Sequence, residues 1–156
     1  MAGELVAGTK APRFRLSRDG GTEVSLRNFK GCNLVLYFYP KADTPGCTKE
    51  AIAFSALRAA FAAASTEILG VSADSVSAQD KFKTKHRLKI ALGSDESRTM
   101  LRAYGAWGEK SMYGRKYMGV IRMTFLIDAK GRIARVWPKV RVAGHAEEVL
   151  MAARAL

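Results

Sequence analysis

Of the two cysteines in this 156-residue chain, Cys47 stands where a thiol becomes a nucleophile. The run Leu34 to Tyr39 is apolar and reads as a buried strand. Pro40 stops it, and Lys41-Ala42-Asp43 forms a short polar loop. Thr44-Pro45 then carries a helix-start signature, because Thr is a good N-cap and Pro is favoured at the first helical position. That register places Cys47 in the first helical turn, where backbone N–H groups lack intrahelical partners and the helix dipole is positive. Both effects favour the thiolate, which is the reactive form. The expectation is a reactive Cys47 with an accessible sulfur, held by a nearby cation. Composition does not choose that cation among the many arginines.

Neighbouring positions narrow the chemistry. A disulfide oxidoreductase of the Cys-x-x-Cys type needs a cysteine three residues away, where this chain has Thr44 and Glu50. A cysteine phosphatase needs Cys-x5-Arg, and Ala53 occupies the arginine's place. The second cysteine, Cys32, precedes the apolar strand. The extended chain from Cys32 to Tyr39 covers roughly 23 Å, whereas a disulfide needs Cα atoms within about 7 Å. An intrachain Cys32–Cys47 bond therefore conflicts with the strand. Cys32 reads as a small residue at a strand edge, with an intermolecular role as the alternative. His86 and His145 lie far apart, and neither has a metal-ligand spacing with a cysteine, so neither a metal nor a cofactor is expected. Lys49 and Glu50 beside Cys47 read as exposed helix residues, with support of the cysteine as the alternative for Glu50.

The elements that must position Cys47 follow from periodicity and turn residues. Phe14-Arg15-Leu16 and Glu23 to Leu26 flank Asp19-Gly20-Gly21 and predict an N-terminal β-hairpin. Cys47 to Ala63 predicts a helix with Ile52, Phe54, Leu57 and Phe61 as its apolar positions. Glu67 to Ser72 predicts a second buried strand. Ser77 to His86 predicts a helix whose Lys81, Lys83 and Lys85, with Arg87 just beyond, form a solvated surface. A short helix is expected over Ser97 to Tyr104. Gly105 to Met118 reads as irregular, with Trp107, Met112, Tyr113 and Met118 available to pack the loop, line a substrate mouth or meet a second copy. Ile121 to Asp128 and Ile133 to Trp137 flank Ala129-Lys130-Gly131, a hairpin signal, and His145 to Ala155 closes the chain as a helix. This order predicts a single α/β domain over residues 1–156, a mixed central sheet flanked by helices.

Apolar residues make up 48% of the chain, and no window reaches the ~18 apolar residues that a membrane span needs. Met1-Ala2-Gly3-Glu4 shows no basic stretch followed by an apolar one, so the expected location is cytoplasmic. Two cysteines do not form a disulfide framework, which fits a reducing compartment. The net charge is +12: residues 1–70 hold 9 basic and 6 acidic groups, residues 71–156 hold 17 and 8. A solvated basic surface accounts for this without a nucleic-acid motif. A basic redox-sensing or nucleic-acid-associated protein with little turnover is the alternative, and it would bind nucleic acid in a salt-sensitive way.

The wording Tyr37-Phe38-Tyr39-Pro40-Lys41-Ala42-Asp43-Thr44-Pro45-Gly46-Cys47-Thr48-Lys49-Glu50 resembles the active-site motif of the peroxiredoxins, in particular the peroxiredoxin Q, or bacterioferritin comigratory protein, group. Ala7 to Phe14 is similar to that group's G-x-x-A-P-x-F, Gly70 to Ser75 to its G-[VI]-S-x-D, and Gly119 to Asp128 to its G-[VI]-x-R-x-T-F-[LV]-I-D. The resemblance covers nearly the whole chain, and four motifs in order are far more specific than one. It implies a thioredoxin-like fold and a thiol peroxidase acting on hydrogen peroxide and organic hydroperoxides. It implies Cys47 as the peroxidatic nucleophile, Thr44 with its hydroxyl toward the sulfur or the peroxide, Pro40 as a shield against water, and Arg122 as the cation. The chain departs from the group in its resolving cysteine. Many members carry it five residues after the first, where Ile52 stands, and others in the next helix, but residues 76–90 contain none. The expectation is a one-cysteine enzyme, a monomer or weak homodimer, resolved by an external thiol: thioredoxin, glutaredoxin or glutathione.

Overall fold

The computed structural model describes residues 5–156; the reading of Met1 to Glu4 lies outside the described residues. Its elements are β1 (Arg15–Arg18), β2 (Glu23–Ser25), β3 (Asn33–Phe38), α1 (Pro45–Ala56), α2 (Arg58–Ala63), β4 (Thr66–Ser72), α3 (Val76–His86), β5 (Ala91–Ser94), α4 (Thr99–Ala103), β6 (Trp107–Met112), β7 (Arg115–Val120), β8 (Met123–Ile127), β9 (Ile133–Trp137) and α5 (His145–Arg154). Seven strands form one sheet in the order β2-β1-β5-β4-β3-β8-β9, and β6 and β7 form a separate two-stranded sheet.

β3 lies near the middle of this sheet because its side chains are apolar on both faces. Val35 and Tyr37, with Tyr39 just beyond the strand, point into a core shared with Phe54 of α1, Phe61 of α2, Phe82 of α3 and Val149 of α5. Leu34, Leu36 and Phe38 point the other way, onto Phe14, Leu101, Tyr104 and Phe125. A strand covered on both sides reads as a continuous apolar run, as this one does. β3 pairs parallel with β4 and antiparallel with β8. β4 pairs parallel with β5, which pairs antiparallel with β1 of the N-terminal hairpin. The topology is α/β and thioredoxin-like, with a mixed sheet between helices and that hairpin added at one edge.

Three expectations change. The helix expected over Cys47 to Ala63 is two helices, because the backbone leaves helical geometry at Leu57 (φ −96°, ψ 5°). Ala91–Ser94 is a strand that four residues of weak β pattern did not announce; β4 and β1 recruit it from either side. The segment read as irregular is the β6–β7 hairpin, turning at Tyr113-Gly114 with six paired residues on each arm. The turn escapes a reading by sequence because Tyr113 stands where Asn, Asp or Gly is usual before Gly114. Two lysines placed on a solvated face are also tied down. Lys83 pairs with Asp19 at 2.8 Å and Lys85 with Asp43 at 2.7 Å.

One close approach links the sheet to the cysteine-bearing helix. Tyr37 stands opposite Gly70 in the β3–β4 ladder. Its ring lies over Gly70, where a Cβ would sit 2.7 Å from Cζ and 2.8 Å from the hydroxyl oxygen. The same ring stacks on Phe54 of α1 at 4.7 Å between centroids. Gly70→Ala should therefore push Tyr37 into Phe54 and cost about 1–3 kcal/mol, the usual range for overpacking a core. The expected result is a lower urea midpoint with an unchanged slope. A parental midpoint would show that the ring yields freely.

Candidate active site

Cys47 is the third residue of α1, after Thr44 at the N-cap and Pro45 at the first position. It lies on the same face as Glu50, because residues three apart on a helix are neighbours. Arg122 reaches both from the bend between β7 and β8. One Nη donates to Glu50 Oε1 at 2.6 Å and the other donates to Cys47 Sγ at 3.3 Å. The planar fork of the guanidinium suits this two-pronged reach. Gly46 leaves room for it: a Cβ there would lie 3.3 Å from the same Nη that meets the sulfur.

The loop before α1 is anchored at several points. Asp43 adopts a left-handed backbone (φ +62°), and its carboxylate meets Lys85 Nζ and His86 Nε2 at 2.7 Å each, at the end of α3. The amide of Ala42 donates to Asp74 Oδ2 at 2.8 Å, and Asp74 follows β4. Thr44 closes the loop on itself by donating its hydroxyl to the Lys41 carbonyl at 2.8 Å. Thr44 thus stands at the N-cap without capping any amide of α1. The expected side-chain cap is corrected: the hydroxyl proton goes to Lys41, and the first-turn amides stay free of it. Pro40 is half-buried just beyond β3.

Burial dominates the electrostatics. Cys47 is 1% exposed, so the sulfur expected to be open is covered. Glu50, expected on the surface, is also 1% exposed, because its face of α1 turns onto the sheet. Burial pushes the Glu50 carboxyl up to about 7, and Arg122 opposes that shift without cancelling it. Arg122 gains in return: its guanidinium is held above its ordinary value, with Glu50 and Cys47 outweighing its own partial burial. Glu50 carries the larger burial cost, because the Arg122 side chain retains 18% of its exposure. Glu50 Oε2 is buried without a hydrogen-bond partner. The Tyr37 hydroxyl is likewise buried and unpartnered, and burial drives it far above the phenol range.

Two more groups surround the site. Lys110 of β6 donates to the Val120 carbonyl at 2.9 Å. Burial and the Arg122 charge lower its ammonium, while Cys47 acts the other way. His145, the first residue of α5, meets Thr124 Oγ1 of β8 at 2.8 Å through Nε2, and burial pushes its imidazole down to about 4. Among the described residues no three His, Cys, Asp or Glu side chains gather as a metal site, and no helix is long and apolar enough to cross a membrane.

Of the residues singled out from sequence, Cys47 and Arg122 are in contact, Thr44 and Pro40 flank them in the preceding loop, and Cys32 lies before β3. The Cys32 thiol donates to the Phe29 carbonyl at 3.2 Å, and both cysteines are free. Sequence reasoning undervalued Glu50 and missed Tyr37 and Lys110. For Glu50 the signal was its i, i+3 spacing from Cys47.

A thiol in a first helical turn, bridged by an arginine across a thioredoxin-like sheet, defines a class of cysteine-dependent redox protein, and comparison with known proteins agrees. Residues 7–136 match the AhpC/TSA family. A putative peroxiredoxin bcp of Coxiella burnetii is 48% identical over 146 residues, covering 94% of this chain and 97% of the relative. Peroxiredoxin Bcp of Bacillus subtilis is 45% identical over 143 residues, covering 92% and 91%. Among solved structures, Xanthomonas campestris peroxiredoxin Q superposes with a TM-score of 0.89 at 44% identity, covering 96% of this chain and 97% of that one. A C47S mutant of Xylella fastidiosa PrxQ gives 0.92 at 36% identity, covering 99% and 98%. The chain belongs to the AhpC/TSA family and, within it, to the peroxiredoxins of the Q/Bcp group.

The Glu50 carboxyl has a stability consequence. Its folded-state pKa of about 7 lies above the unfolded value of 4.5. Between those values the folded state holds more protons than the unfolded state, so this group's contribution is fully present below pH 4.5 and is lost as pH rises through about 7. Glu50→Gln removes that titration. Parent minus variant unfolding free energy should fall from pH 4.5 to pH 7, measured by urea titration at several pH values. A flat difference would place the carboxyl proton elsewhere.

Proposed function

We propose that this peroxiredoxin is a one-cysteine thiol peroxidase, with Cys47 as nucleophile and Arg122 as the cation that holds it. The observation that carries the reading is the guanidinium bridging Cys47 Sγ and Glu50, both of them buried. The Cys47 thiolate attacks one oxygen of a hydroperoxide. The O–O bond breaks, the sulfur is oxidised to a sulfenic acid, and the departing alkoxide takes a proton to leave as alcohol, or as water from hydrogen peroxide. Arg122 stabilises the negative charge as it moves from sulfur to oxygen. Thr44 and Pro40 shape the loop through which the substrate approaches. A related Xanthomonas campestris bacterioferritin comigratory protein has been described for its alkyl peroxide reduction activity, which supports organic hydroperoxides as substrates.

The return step needs a thiol from outside the chain. Cys32 and Cys47 lie beyond opposite ends of β3, and both are free. Ile52, at the place of the usual second cysteine, is 45% exposed, and α3 carries no cysteine. A partner thiolate attacks the Cys47 sulfur, forming a mixed disulfide and releasing the hydroxyl as water. A second thiolate then breaks the S–S bond and restores Cys47, leaving the partner oxidised. Free thiols of this kind suit a reducing, cytoplasmic location. Thioredoxin, glutaredoxin and glutathione are the candidate reductants.

Cys47→Ser should abolish peroxide consumption, while Cys32→Ser keeps most of it. Equal loss in both variants would overturn the one-cysteine reading. After one equivalent of peroxide the sulfenic acid should persist and be trapped by a dimedone reagent, as seen by mass spectrometry. A single intrachain-disulfide species would exclude the mechanism.

Arg122→Ala should slow single-turnover oxidation of Cys47 by about 10²–10³-fold, the cost of removing one preorganised donor. Stopped-flow tryptophan fluorescence checks this, and a parental rate would remove Arg122 from the chemistry.

A further inference from the structure

The β6–β7 hairpin shows the chemistry of a docking surface. Its turn residues both have positive φ, Tyr113 at +50° and Gly114 at +76°, the pattern of a two-residue type I′ turn. Asn or Gly normally takes the first of these positions. A bulky side chain is uncommon there, and residues held in such conformations cluster at functional sites. Tyr113 has no packing role to justify it, being 97% exposed.

The ladder pairs Met112 with Arg115 and Lys110 with Tyr117, so these four side chains share one face of the hairpin. Met112 is 56% exposed and Tyr117 41%. Lys110 ties this face to the active site, since its ammonium donates to the Val120 carbonyl at 2.9 Å, two residues before Arg122. The arm ends at Val120, and the next residue but one is Arg122. A tyrosine- and methionine-rich surface with an arginine has the composition of an interface core. It is continuous with the reacting sulfur's surroundings.

Charge selects the occupant. This face carries Lys110 and Arg115 and no carboxylate, while Lys116 and Glu109 pair with each other on the opposite face at 3.6 Å, on a chain of net charge +12. A second copy would bring the same positive surface and be repelled, whereas an acidic protein would be drawn in. Resting on the one-cysteine reading above, we propose that the Lys110–Tyr117 face of this hairpin, with Tyr113 at its tip, docks an acidic protein thiol that reduces oxidised Cys47. Tyr113 and Tyr117 supply rigid aromatic contact, Met112 adapts to the partner, and Arg115 meets a carboxylate on the partner's flank, roughly 20 Å along the strand from the sulfur.

The test compares the parent with a Tyr113→Gly, Tyr117→Ser, Arg115→Glu triple variant, in which the first change relaxes the turn and keeps the hairpin formed. Cys47 is oxidised with one equivalent of peroxide and then mixed with reduced thioredoxin of acidic net charge, or with dithiothreitol. The variant should react about tenfold more slowly with thioredoxin, the loss of a single strong interface contact, and with a flatter salt dependence. Its peroxide and dithiothreitol steps should stay at parental rates. An unchanged thioredoxin rate, or equal slowing with both reductants, overturns the proposal. So does a parental dimer in ultracentrifugation that the variant dissolves, which would assign the face to a second copy. If Cys47 does not oxidise at all, it is the peroxidase reading that fails. Docking is then read from thioredoxin binding to the reduced parent at low salt, and equal binding by parent and variant overturns it.

Discussion

The Arg122 guanidinium is the contact on which the site depends. It joins a bend before β8 to the first turn of α1, two segments separated by 75 residues. It stands between one buried carboxylate and one buried sulfur, and the two compete for its charge. Burial holds Glu50 near neutrality in pKa, so around pH 7 the carboxyl is protonated for a large part of the time. A protonated Glu50 leaves more of the guanidinium's charge directed at Cys47. A carboxylate at an ordinary pKa would claim that charge, and placing Glu50 on the face of α1 that meets the sheet prevents this.

That placement in turn rests on β3. The strand delivers Tyr37 and Tyr39 to the helical face of the sheet and Leu36 and Phe38 to the other. Tyr37 fills the space that Gly70 leaves open and stacks on Phe54, which fixes how closely α1 can approach the sheet. The loop between β3 and α1 is then held from outside, by Asp74 after β4 and by Lys85 and His86 at the end of α3. These contacts define a cysteine covered by protein, with Thr44 and Pro40 in the loop that precedes it. A covered sulfur excludes water and makes the guanidinium's field stronger than it would be at the surface. The same cover requires local movement before any reagent can reach the sulfur.

The basic character of the chain is arranged around these features. Lys83 and Lys85 hold α3 to the N-terminal hairpin and to the active-site loop. Arg98 lies over the Trp107 ring at 4.6 Å, where the β6–β7 hairpin starts. Lys110 adds a cation beside Arg122. Two lysines that looked like solvated surface therefore tie elements together, and of the hairpin's cations Lys110 is the one at the Arg122 end.

The sequence by itself determined the local conformations. The apolar run Leu34 to Tyr39, the Thr44-Pro45 start and the Gly-turned hairpins encode strand, cap and turn through short-range sterics and periodicity. For that reason the helix start bearing Cys47 was legible, as was the choice of Arg122 through the motif around it. Tertiary structure decided what each side chain then met. The i, i+3 spacing puts Glu50 on the face of Cys47 and Lys49 on another, but it does not state which face turns inward. Only the docking of α1 on β3 settles that, and with it the buried charge. Ala91–Ser94 became a strand because β4 and β1 offered hydrogen-bonding edges on both sides, an effect stronger than the weak pattern of four small residues. Burial, charge pairing and the span from Cys47 to Arg122 are long-range quantities. They exist only once the chain has closed on itself, because desolvation and Coulomb energies depend on neighbours that the order of residues alone does not place.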